Sequence, residues 1–555
     1  MTDATDGRPP RPWDPLFRTV SARLPELRAL WASTPVARAH DALTLLVVIV
    51  FHTVLGVKFL RAPFGNFDEH YFVHEGWSVT KGLVPYRDIQ EFKPPAIFFV
   101  NALGIKLFGV DQMGYRYIFS LLSLCGFLVI AVALLTRRVN RLFVVALLLF
   151  MIDHFFNTGF HDSSINNAES LSVDFFMMGA GILLMRTRWP RAQLFVGAAL
   201  LAGAPLSKEP VVFATLLAWL TLLLFHRVEH PQPGATKRYL RLTIAGAATV
   251  GATWLLYMLV THSFRSYLEQ VRLNMMYAKN YAHQMHWLPE HPEGGFWGEA
   301  WRRFTLGYIN APQTGAFVPL FLAPFFLWDR ARRIVAVGAF LTFAAGVYAI
   351  SIGSGFAGHY FIMAMTGTFL WIFLGTLALD DATKKDETKQ DGAKRAEATD
   401  PGRAISRWIG ASWLALALYM FFPHFADEWK KYSAYKAPPP PINAAEVAFV
   451  RAHSAPNDKV WNLGDPLLNV YAERVSPFRE QYTIDQAIDY YPGTTDEQRL
   501  AGQRAELLAD RPKLIVFGQD NVPYQRRQRY IKALVMPFIH DAGYVKLGDK
   551  FYARP

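Results

Sequence analysis

Residues 42–60 read ALTLLVVIVFHTVLGVKFL and are followed by RAPFGNFDE at 61–69. The first run is almost wholly apolar and is long enough to cross the hydrocarbon core of a bilayer as one helix. The acids Asp68 and Glu69 therefore come just past the point where the chain leaves the hydrocarbon. Ionisable side chains at such a boundary indicate a functional site at the membrane edge.

The composition of the whole chain is that of a polytopic membrane protein with soluble parts. Of its 555 residues, 52% are hydrophobic and 18% are charged, which is too apolar for a set of soluble domains. The formal net charge is +12, but the basic residues are scattered between apolar runs. This distribution is typical of cytoplasmic loops and argues against a nucleic-acid partner.

Eleven apolar stretches are predicted to be transmembrane helices. They lie at 42–60, 116–135, 141–155, 168–185, 193–206, 211–226, 242–261, 313–328, 334–352, 360–379 and 406–423. With a cytoplasmic N-terminus, the basic clusters fall on the cytoplasmic side, as the positive-inside rule requires. The clusters are at 137–141, 186–191, 227–241, 330–333 and 384–395. An odd number of crossings places the C-terminus outside.

The apolar stretch at 94–108 is not counted among these spans. Counting it would turn every later basic cluster outward, so we expect a helix lying in the outer interface. The N-terminal residues carry a helix-like apolar spacing from Leu16 to Trp31, which suggests a helix on the inner leaflet. No cleavable signal peptide is evident, because the first apolar run is long and preceded by a long polar segment.

These features divide the chain into parts and predict a bacterial inner-membrane location. The parts are a cytoplasmic segment at 1–41, a transmembrane domain at 42–423 with a large first outer loop at 61–115, a charged cytoplasmic linker at 380–405, and a small extracytoplasmic α/β domain at 424–555. The last part contains the proline spacer at 438–441, after which its helix and strand signals begin. The expected fold is therefore a polytopic α-helical membrane protein with an appended α/β domain.

Within the C-terminal domain, helix and strand signals alternate. Asn443 with Glu446 resembles a capping box at the start of a helix. Buried strands are predicted at 459–463 and 513–517, helices at 502–509 and 524–535, and an edge strand at 544–553.

The first outer loop mixes acids, histidines, aromatics and glycines in a way that a plain linker does not. A carboxylate such as Asp68 could remove a proton from an acceptor hydroxyl if it lies within hydrogen-bond reach. The same residue, followed by Glu69 and an aromatic run, also suits the start of a helix. From the loop alone, both interpretations stand.

Several motifs of this loop together resemble the GT-C glycosyltransferases. They are Asp68-Glu69, Gly82-Leu83-Val84-Pro85-Tyr86-Arg87-Asp88, Lys93-Pro94-Pro95 and Leu107-Phe108-Gly109. The likeness is to the branch of protein O-mannosyltransferases and aminoarabinose transferases, glycosyltransferase family 39. It implies a GT-C fold, a polyprenyl-phosphate sugar as donor and the first-loop Asp as catalytic carboxylate. By that resemblance Asp68 is the base and Glu69 its neighbour at the catalytic site.

The resemblance also implies a second acid in the second outer loop. Asp162 and Glu169 each fit this position, and Asn-Asn-Ala-Glu ahead of an apolar run favours Glu169, with Asp162 kept as a substrate-binding residue. A polar N-cap formed by Ser163, Ser164 and Asn166 explains the same pattern equally well. His161 with Asp162 is too little for a metal site, so a divalent metal is neither required nor excluded, and no other cofactor is implied.

Donor-binding residues are predicted on the same side of the membrane. Lys93 is the first candidate for the lipid phosphate because it shares the loop with Asp68. Lys208 is another, unless it only extends to the headgroups. The segment 262–310 mixes basic and aromatic residues, which suits either a cover over a sugar phosphate or a headgroup belt. The remaining candidates are Arg265, Arg272, Tyr86, His359 and Tyr360.

The predicted function is an inverting transfer of one sugar from a polyprenyl-phosphate carrier to a hydroxyl of an extracytoplasmic glycan, lipid or protein. A transporter or lipid flippase is the main alternative, but carriers usually hold charges near mid-membrane and show two related halves. An oligosaccharide ligase with a polyprenyl-diphosphate donor is another alternative. A binding protein that has lost catalysis is the last.

Overall fold

The computed structural model describes most of the membrane region and most of the C-terminal domain. The described residues are 35–61, 67–89, 93–111, 114–157, 166–272, 274, 312–352, 362–390, 411–419, 422–423, 425–427, 429–430, 443–477, 496–517 and 531–555. The predictions for Leu16–Trp31, Asp162, His359 and Tyr360 lie outside them.

Helices build the membrane region. In chain order they are α1 (Pro35–Arg61), α2 (Phe67–Thr80), α3 (Ala96–Phe108), α4 (Arg116–Thr136), α5 (Arg141–Asn157), α6 (Ala168–Leu184), α7 (Pro190–Gly203), α8 (Val212–Glu229), α9 (Ala235–Val260), α10 (Pro312–Leu327), α11 (Arg330–Ile352) and α12 (Met365–Gln390). Residues 411–419 are helical as well. Each of the predicted spans therefore contains a helix.

Among the described residues, six helices are long and apolar enough to cross a membrane. They are Arg38–Val57, Arg116–Thr136, Glu209–Glu229, Ala235–Val260, Arg330–Ile350 and Ile362–Ala382. A straight crossing needs about 20 residues, and α5, α6, α7 and α10 are shorter than that. The polytopic helical membrane fold is confirmed, whereas eleven crossings and their orientation stay predictions.

Two predicted boundaries can be compared directly with the helices. The apolar stretch at 94–108 forms α3, a helix of 13 residues, which is shorter than a straight crossing needs. Its position in the outer interface stays a prediction. Helix α12 continues to Gln390, so the first part of the predicted linker at 380–405 extends a helix.

Glycines set the closest helix contacts around the first loop. A Cβ on Gly76 of α2 would lie 2.4 Å from the Cβ of Asn101 in α3. A Cβ on Gly104 of α3 would lie 2.8 Å from the carbonyl oxygen of Tyr115, just before α4. Real Cβ atoms do not approach so closely, so α2, α3 and the start of α4 form one tightly packed unit.

A buried pair of amides joins this unit to α6. Asn101 Nδ2 donates to Asn166 Oδ1 at 3.0 Å, and Asn166 Nδ2 donates to Asn101 Oδ1 at 2.7 Å. Buried amides cost free energy unless they are paired, so this exchange fixes the start of α6 against α3. The prediction that Asn166 caps α6 is wrong, because Asn167 accepts the capping hydrogen bond from Glu169 N at 2.8 Å.

A four-stranded sheet with helices forms the C-terminal domain. The strands β1 (Val460–Asn462), β2 (Leu514–Val516), β3 (Val545–Lys546) and β4 (Phe551–Ala553) have the order β1-β2-β4-β3. Strands β1 and β2 are parallel and the other pairs antiparallel. The helices are α13 (Ala444–His453), α14 (Leu467–Ala472), α15 (Asp496–Ala509) and α16 (Met536–Asp541).

Some of the predictions for this domain are confirmed and others are not. The strands at 459–463 and 513–517 and the helix at 502–509 are confirmed, whereas the edge strand at 544–553 is a pair of antiparallel strands, β3 and β4. The described end of the helix at 524–535 is a π-helical turn, Ile531–Val535.

The capping box predicted for α13 is half correct. The side chain of Asn443 accepts a hydrogen bond from Ala445 N at 3.0 Å, so it is the N-cap. The carboxylate of Glu446 instead lies 2.9 Å from Lys550 Nζ. Since Lys550 directly precedes β4, this ion pair ties the helix to the sheet.

The close approach of α2 to α3 yields a stability prediction. Gly76→Ala is expected to lower the melting temperature of the detergent-solubilised chain, because overpacking a tight contact costs about 1–3 kcal/mol. Gly251→Ala in α9 is the matched control, since a Cβ there meets nothing within 4 Å. Indistinguishable melting temperatures for the two variants would contradict the packing described for α2.

Candidate active site

The first turn of α2 carries two adjacent acids that face different surroundings. Asp68 and Glu69 both lie in this turn, where carboxylates interact favourably with the helix dipole. Successive side chains of an α-helix point about 100° apart. Glu69 therefore faces the protein interior, whereas Asp68 faces Lys93. A helix start and a chemical role are compatible at this position.

Glu69 belongs to a fully buried ion pair with Arg116. Its oxygens accept hydrogen bonds from Arg116 Nε at 2.6 Å and Nη2 at 2.5 Å, and both side chains are 0% exposed. Arg116 Nη1 also donates to the carbonyl oxygen of Phe59 at 2.9 Å. One guanidinium thus joins the end of α1, the first turn of α2 and the first turn of α4.

Tyr115 completes the surroundings of Glu69. Its hydroxyl donates to Glu69 Oε1 at 3.2 Å. Burial raises the pKa of Tyr115 well above its usual range, and the neighbouring Glu69 carboxylate acts in the same direction. The phenol therefore stays protonated and remains a donor to the carboxylate.

Asp68 is the accessible acid of the two. Its Oδ2 lies 3.6 Å from Lys93 Nζ, with 25% of the Asp68 side chain and 18% of the Lys93 side chain exposed. The hydroxyl of Tyr86 donates to the carbonyl oxygen of Lys93 at 2.9 Å and so holds the backbone that carries the ammonium. The structure brings together three residues that the sequence singled out.

The turn that presents Tyr86 is unusual in its backbone. Tyr86 has a φ of 67°, a left-handed conformation that costs a non-glycine residue of order 1–3 kcal/mol. Asp88 stabilises the turn, since its Oδ2 accepts from Val84 N at 2.9 Å. Arg87 donates to both Asp88 oxygens, at 2.8 and 2.7 Å, and to Thr261 O at 2.9 Å. The hydrogen bond to Asp88 raises the pKa of Arg87.

An aromatic cluster encloses the Tyr86 ring. Its centroid lies 5.9 Å from that of Phe98, 6.0 Å from Trp254 and 5.1 Å from Tyr267. Tyr267 belongs to the helical residues 264–272, which also contain the predicted donor-binding residues Arg265 and Arg272. Both arginines are exposed. This segment therefore contacts the first loop through Tyr267.

A second buried ion pair lies at the start of α6. Lys208 Nζ is 2.5 Å from Glu169 Oε1, with side-chain exposures of 7% and 3%. Lys208 is thus held in a pair rather than extended to the headgroups. The turn that carries it adjoins α3, because Ala96 N donates to Leu206 O at 3.0 Å.

Glu209 connects the two ion pairs electrostatically. Its carboxylate interacts with the charges of Lys208, Lys93 and Glu169. It also accepts a hydrogen bond from Asn274 Nδ2 at 2.8 Å. Asp68, Lys93, Glu209, Lys208 and Glu169 therefore form one neighbourhood of alternating charge, which we call the acid–lysine site.

The sequence missed the residues that anchor this site. Arg116 is the first residue of a predicted span. A charge at that position requires a partner, and this requirement was the one sequence feature that could have indicated a buried ion pair. Nothing local indicated Asn101. Asp162, His359 and Tyr360 lie outside the described residues. Within the described ranges, no three His, Cys, Asp or Glu side chains are placed to hold a metal ion.

The contrast between the two acids gives a stability prediction. Glu69→Gln leaves the buried Arg116 guanidinium without a counter-charge, which is expected to cost about 3–5 kcal/mol. Asp68→Asn is the matched control, because a partly exposed pair contributes only about 0–1 kcal/mol. Thermal unfolding in detergent micelles measures both. Equal stability losses would show that the Glu69–Arg116 pair is not the anchor.

His74 of α2 makes the stability depend on pH. It is 1% exposed, and burial lowers its pKa from 6.5 to about 3, although Asp465 acts in the opposite direction. Between these two pKa values the unfolded chain binds a proton that the folded chain does not. The contribution of neutral His74 to the free energy of unfolding is therefore lost as the pH falls through this window.

The expected loss between about pH 7.5 and about pH 5.5 is roughly 1 kcal/mol. His74→Leu should reduce the difference between the melting temperatures measured at these two pH values, because leucine cannot take up the proton. An unchanged or larger difference in the variant would argue against a neutral buried His74.

Comparisons with known proteins give distant likenesses only. No protein-family model and no curated protein matches the chain. ArnT from Cupriavidus metallidurans bound to undecaprenyl phosphate is similar at a TM-score of 0.48 and 13% identity, with 93% of this chain and 98% of that chain covered. The archaeal oligosaccharyltransferase AglB from Archaeoglobus fulgidus, in complex with an inhibitory peptide and a dolichol-phosphate, is similar at a TM-score of 0.45 and 12% identity, covering 92% and 74%.

Proposed function

We propose that the chain is an inverting membrane glycosyltransferase that moves one sugar from a polyprenyl-phosphate carrier to a hydroxyl of an extracytoplasmic glycan, lipid or protein. The observation that carries the proposal is the accessible Asp68 carboxylate, 3.6 Å from Lys93 Nζ, on a turn anchored by the buried Glu69–Arg116 pair. A carboxylate can accept the acceptor's proton, and an ammonium can stabilise the departing phosphate.

The reaction begins when an acceptor hydroxyl comes within hydrogen-bond reach of Asp68. Its proton passes to a carboxylate oxygen of Asp68 while the acceptor oxygen bonds to the anomeric carbon, on the face opposite the phosphate. The bond from that carbon to the phosphate oxygen breaks, and its electron pair leaves with the polyprenyl phosphate. Because one bond forms as the opposite one breaks, the configuration at the anomeric carbon inverts.

Lys93 offsets the charge that develops on the leaving phosphate. A preorganised cation at such a position is worth several kcal/mol, roughly. Because Lys93 also contacts Asp68, the same ammonium can pair with the carboxylate of the base and offset the charge of the leaving phosphate. Lys208 is committed to Glu169, so we assign this second pair to orienting the acceptor beside Asp68.

The remaining site residues receive the following roles. Glu69 positions the turn rather than reacting, since both its oxygens are bound within a fully buried pair. Tyr86 orients Lys93 through its backbone carbonyl. The residues proposed to bind the donor or acceptor on the strength of sequence are Arg265, Arg272, Asp162, His359 and Tyr360.

The location belongs to the same proposal. We place the chain in a bacterial inner membrane with a cytoplasmic N-terminus, because its basic loops alternate with the acid-bearing ones. The acid–lysine site and the C-terminal domain then lie on the extracytoplasmic side, where lipid-linked sugars and surface acceptors meet. Mass analysis of surface glycans from cells with and without the chain would identify the transferred sugar.

A transporter is the second candidate, because ionisable side chains are buried among the membrane helices. His52 Nε2 lies 3.1 Å from Ser123 Oγ, and Asp174 lies on α6, which packs against α4, the helix that carries Ser123. His52 and Asp174 are each 1% exposed. Buried titratable groups of this kind are found on ion pathways. Proton uptake by proteoliposomes that depends on Asp174 would favour this candidate.

The central activity prediction concerns Asp68. Asp68→Asn, reconstituted in liposomes with polyprenyl-phosphate sugars, is expected to lower transfer by about 10²–10⁴-fold, the usual contribution of a general base. Asp111→Asn is the matched control, because Asp111 is an exposed acid of the same loop and should keep normal turnover. Near-normal transfer by the Asp68 variant, with both proteins equally folded, would remove Asp68 from its proposed role.

A further inference from the structure

The C-terminal domain packs directly on α2. Leu467 and Val470 of α14 share one buried apolar cluster with Val73 and Trp77 of α2 and with Tyr115. Trp77 is the most exposed of these side chains, at 4%. Burying such a side chain typically contributes about 1.5–3 kcal/mol to stability. The contact is therefore a stable interface between the domain and α2.

A polar contact lies nearer to Asp68. Asp465 Oδ2 is 2.8 Å from Nδ1 of His70, two residues beyond Asp68. The other carboxylate oxygen, Oδ1, accepts from Leu467 N at 3.0 Å. A single side chain thus accepts a hydrogen bond from the first residue of α14 and contacts α2.

The domain holds Asp465 in place through its own sheet. Asn462, at the end of β1, donates from its side chain to the carbonyl oxygen of Asp465. Asn469 of α14 donates to the carbonyl oxygen of Val460 in β1 at 3.0 Å. The position of the Asp465 carboxylate is therefore set by the folded domain and not by a loose loop.

The interface reaches the acids of α2 by two routes. His70 belongs to the first turns of the helix that carries Asp68 and Glu69. The Tyr115 ring packs in the apolar cluster, while its hydroxyl donates to Glu69 Oε1 at 3.2 Å. The domain thus touches both the helix backbone next to Asp68 and a side chain that holds Glu69.

We propose that the C-terminal domain orders the first turn of α2 and that Asp465 is a positioning residue for Asp68. The first N–H groups of a helix lack intrahelical partners, and helix ends open readily. The place of Asp68 therefore depends on contacts from outside the helix. This inference deepens the proposed function, on which its consequence for catalysis rests.

Hydrogen–deuterium exchange of the full chain in detergent micelles tests the contact without any substrate. Asp465→Asn retains an oxygen that can accept from Leu467 N but removes the charge that faces His70. The amides of residues 71–74, which donate to the carbonyl groups of the first turn, are expected to exchange about threefold to tenfold faster. Asp510→Asn is the matched control, since it breaks the exposed Lys459–Asp510 pair of the same domain and should leave those amides unchanged.

Leu467→Ala is the second variant and removes part of the apolar contact. It should accelerate exchange at 71–74 by a larger factor than Asp465→Asn, whether the domain undocks intact or opens as a whole. Unchanged exchange at 71–74 in both variants would overturn the inference.

A double-mutant cycle in the transfer assay tests the positioning role. His70→Gln and Asp465→Asn should each lower kcat about tenfold at unchanged donor KM, and the double variant should lose no more than either single variant. Independent, multiplying losses or a rise in KM alone would contradict positioning. If the wild-type chain transfers no sugar, the proposed function fails, and the exchange data still decide whether the domain orders α2.

Discussion

The buried ion pair of Glu69 and Arg116 is the contact on which the site depends. It joins the end of α1, the first turn of α2 and the first turn of α4 through one guanidinium. A charge of either sign left alone in these apolar surroundings would be costly, so the three segments stay together. This ion pair also sets the direction of the Asp68 side chain. Because the neighbouring Glu69 is fixed, the helix geometry directs Asp68 towards Lys93.

A second chain of contacts brings the other acid to the same place. Gly76 allows α2 to touch α3 at Asn101, and Asn101 exchanges hydrogen bonds with Asn166 before α6. The first turn of α6 then supplies Glu169, which pairs with Lys208. The two ion pairs are therefore parts of one packed unit, and the C-terminal domain covers that unit from the side of α2.

Local patterns predicted the elements of this architecture better than its contacts. Apolar runs gave a helix for every predicted span, and the first loop supplied Asp68, Lys93 and Tyr86 as candidate site residues. The partners missed from sequence are distant along the chain, with separations of 47 residues for Glu69 and Arg116, 65 for Asn101 and Asn166, and 104 for Glu446 and Lys550. Periodicity and capping rules act over a few residues, so they identify a charged or polar group but not what it binds.

The most direct measurement is an experimental structure of the chain with polyprenyl phosphate bound. We predict that the lipid phosphate lies beside Lys93 Nζ, with the Asp68 carboxylate facing the same space and the Glu69–Arg116 pair intact. A phosphate bound away from the acid–lysine site, or an Asp68 side chain turned towards bulk solvent with no path for the lipid to reach it, would contradict the account.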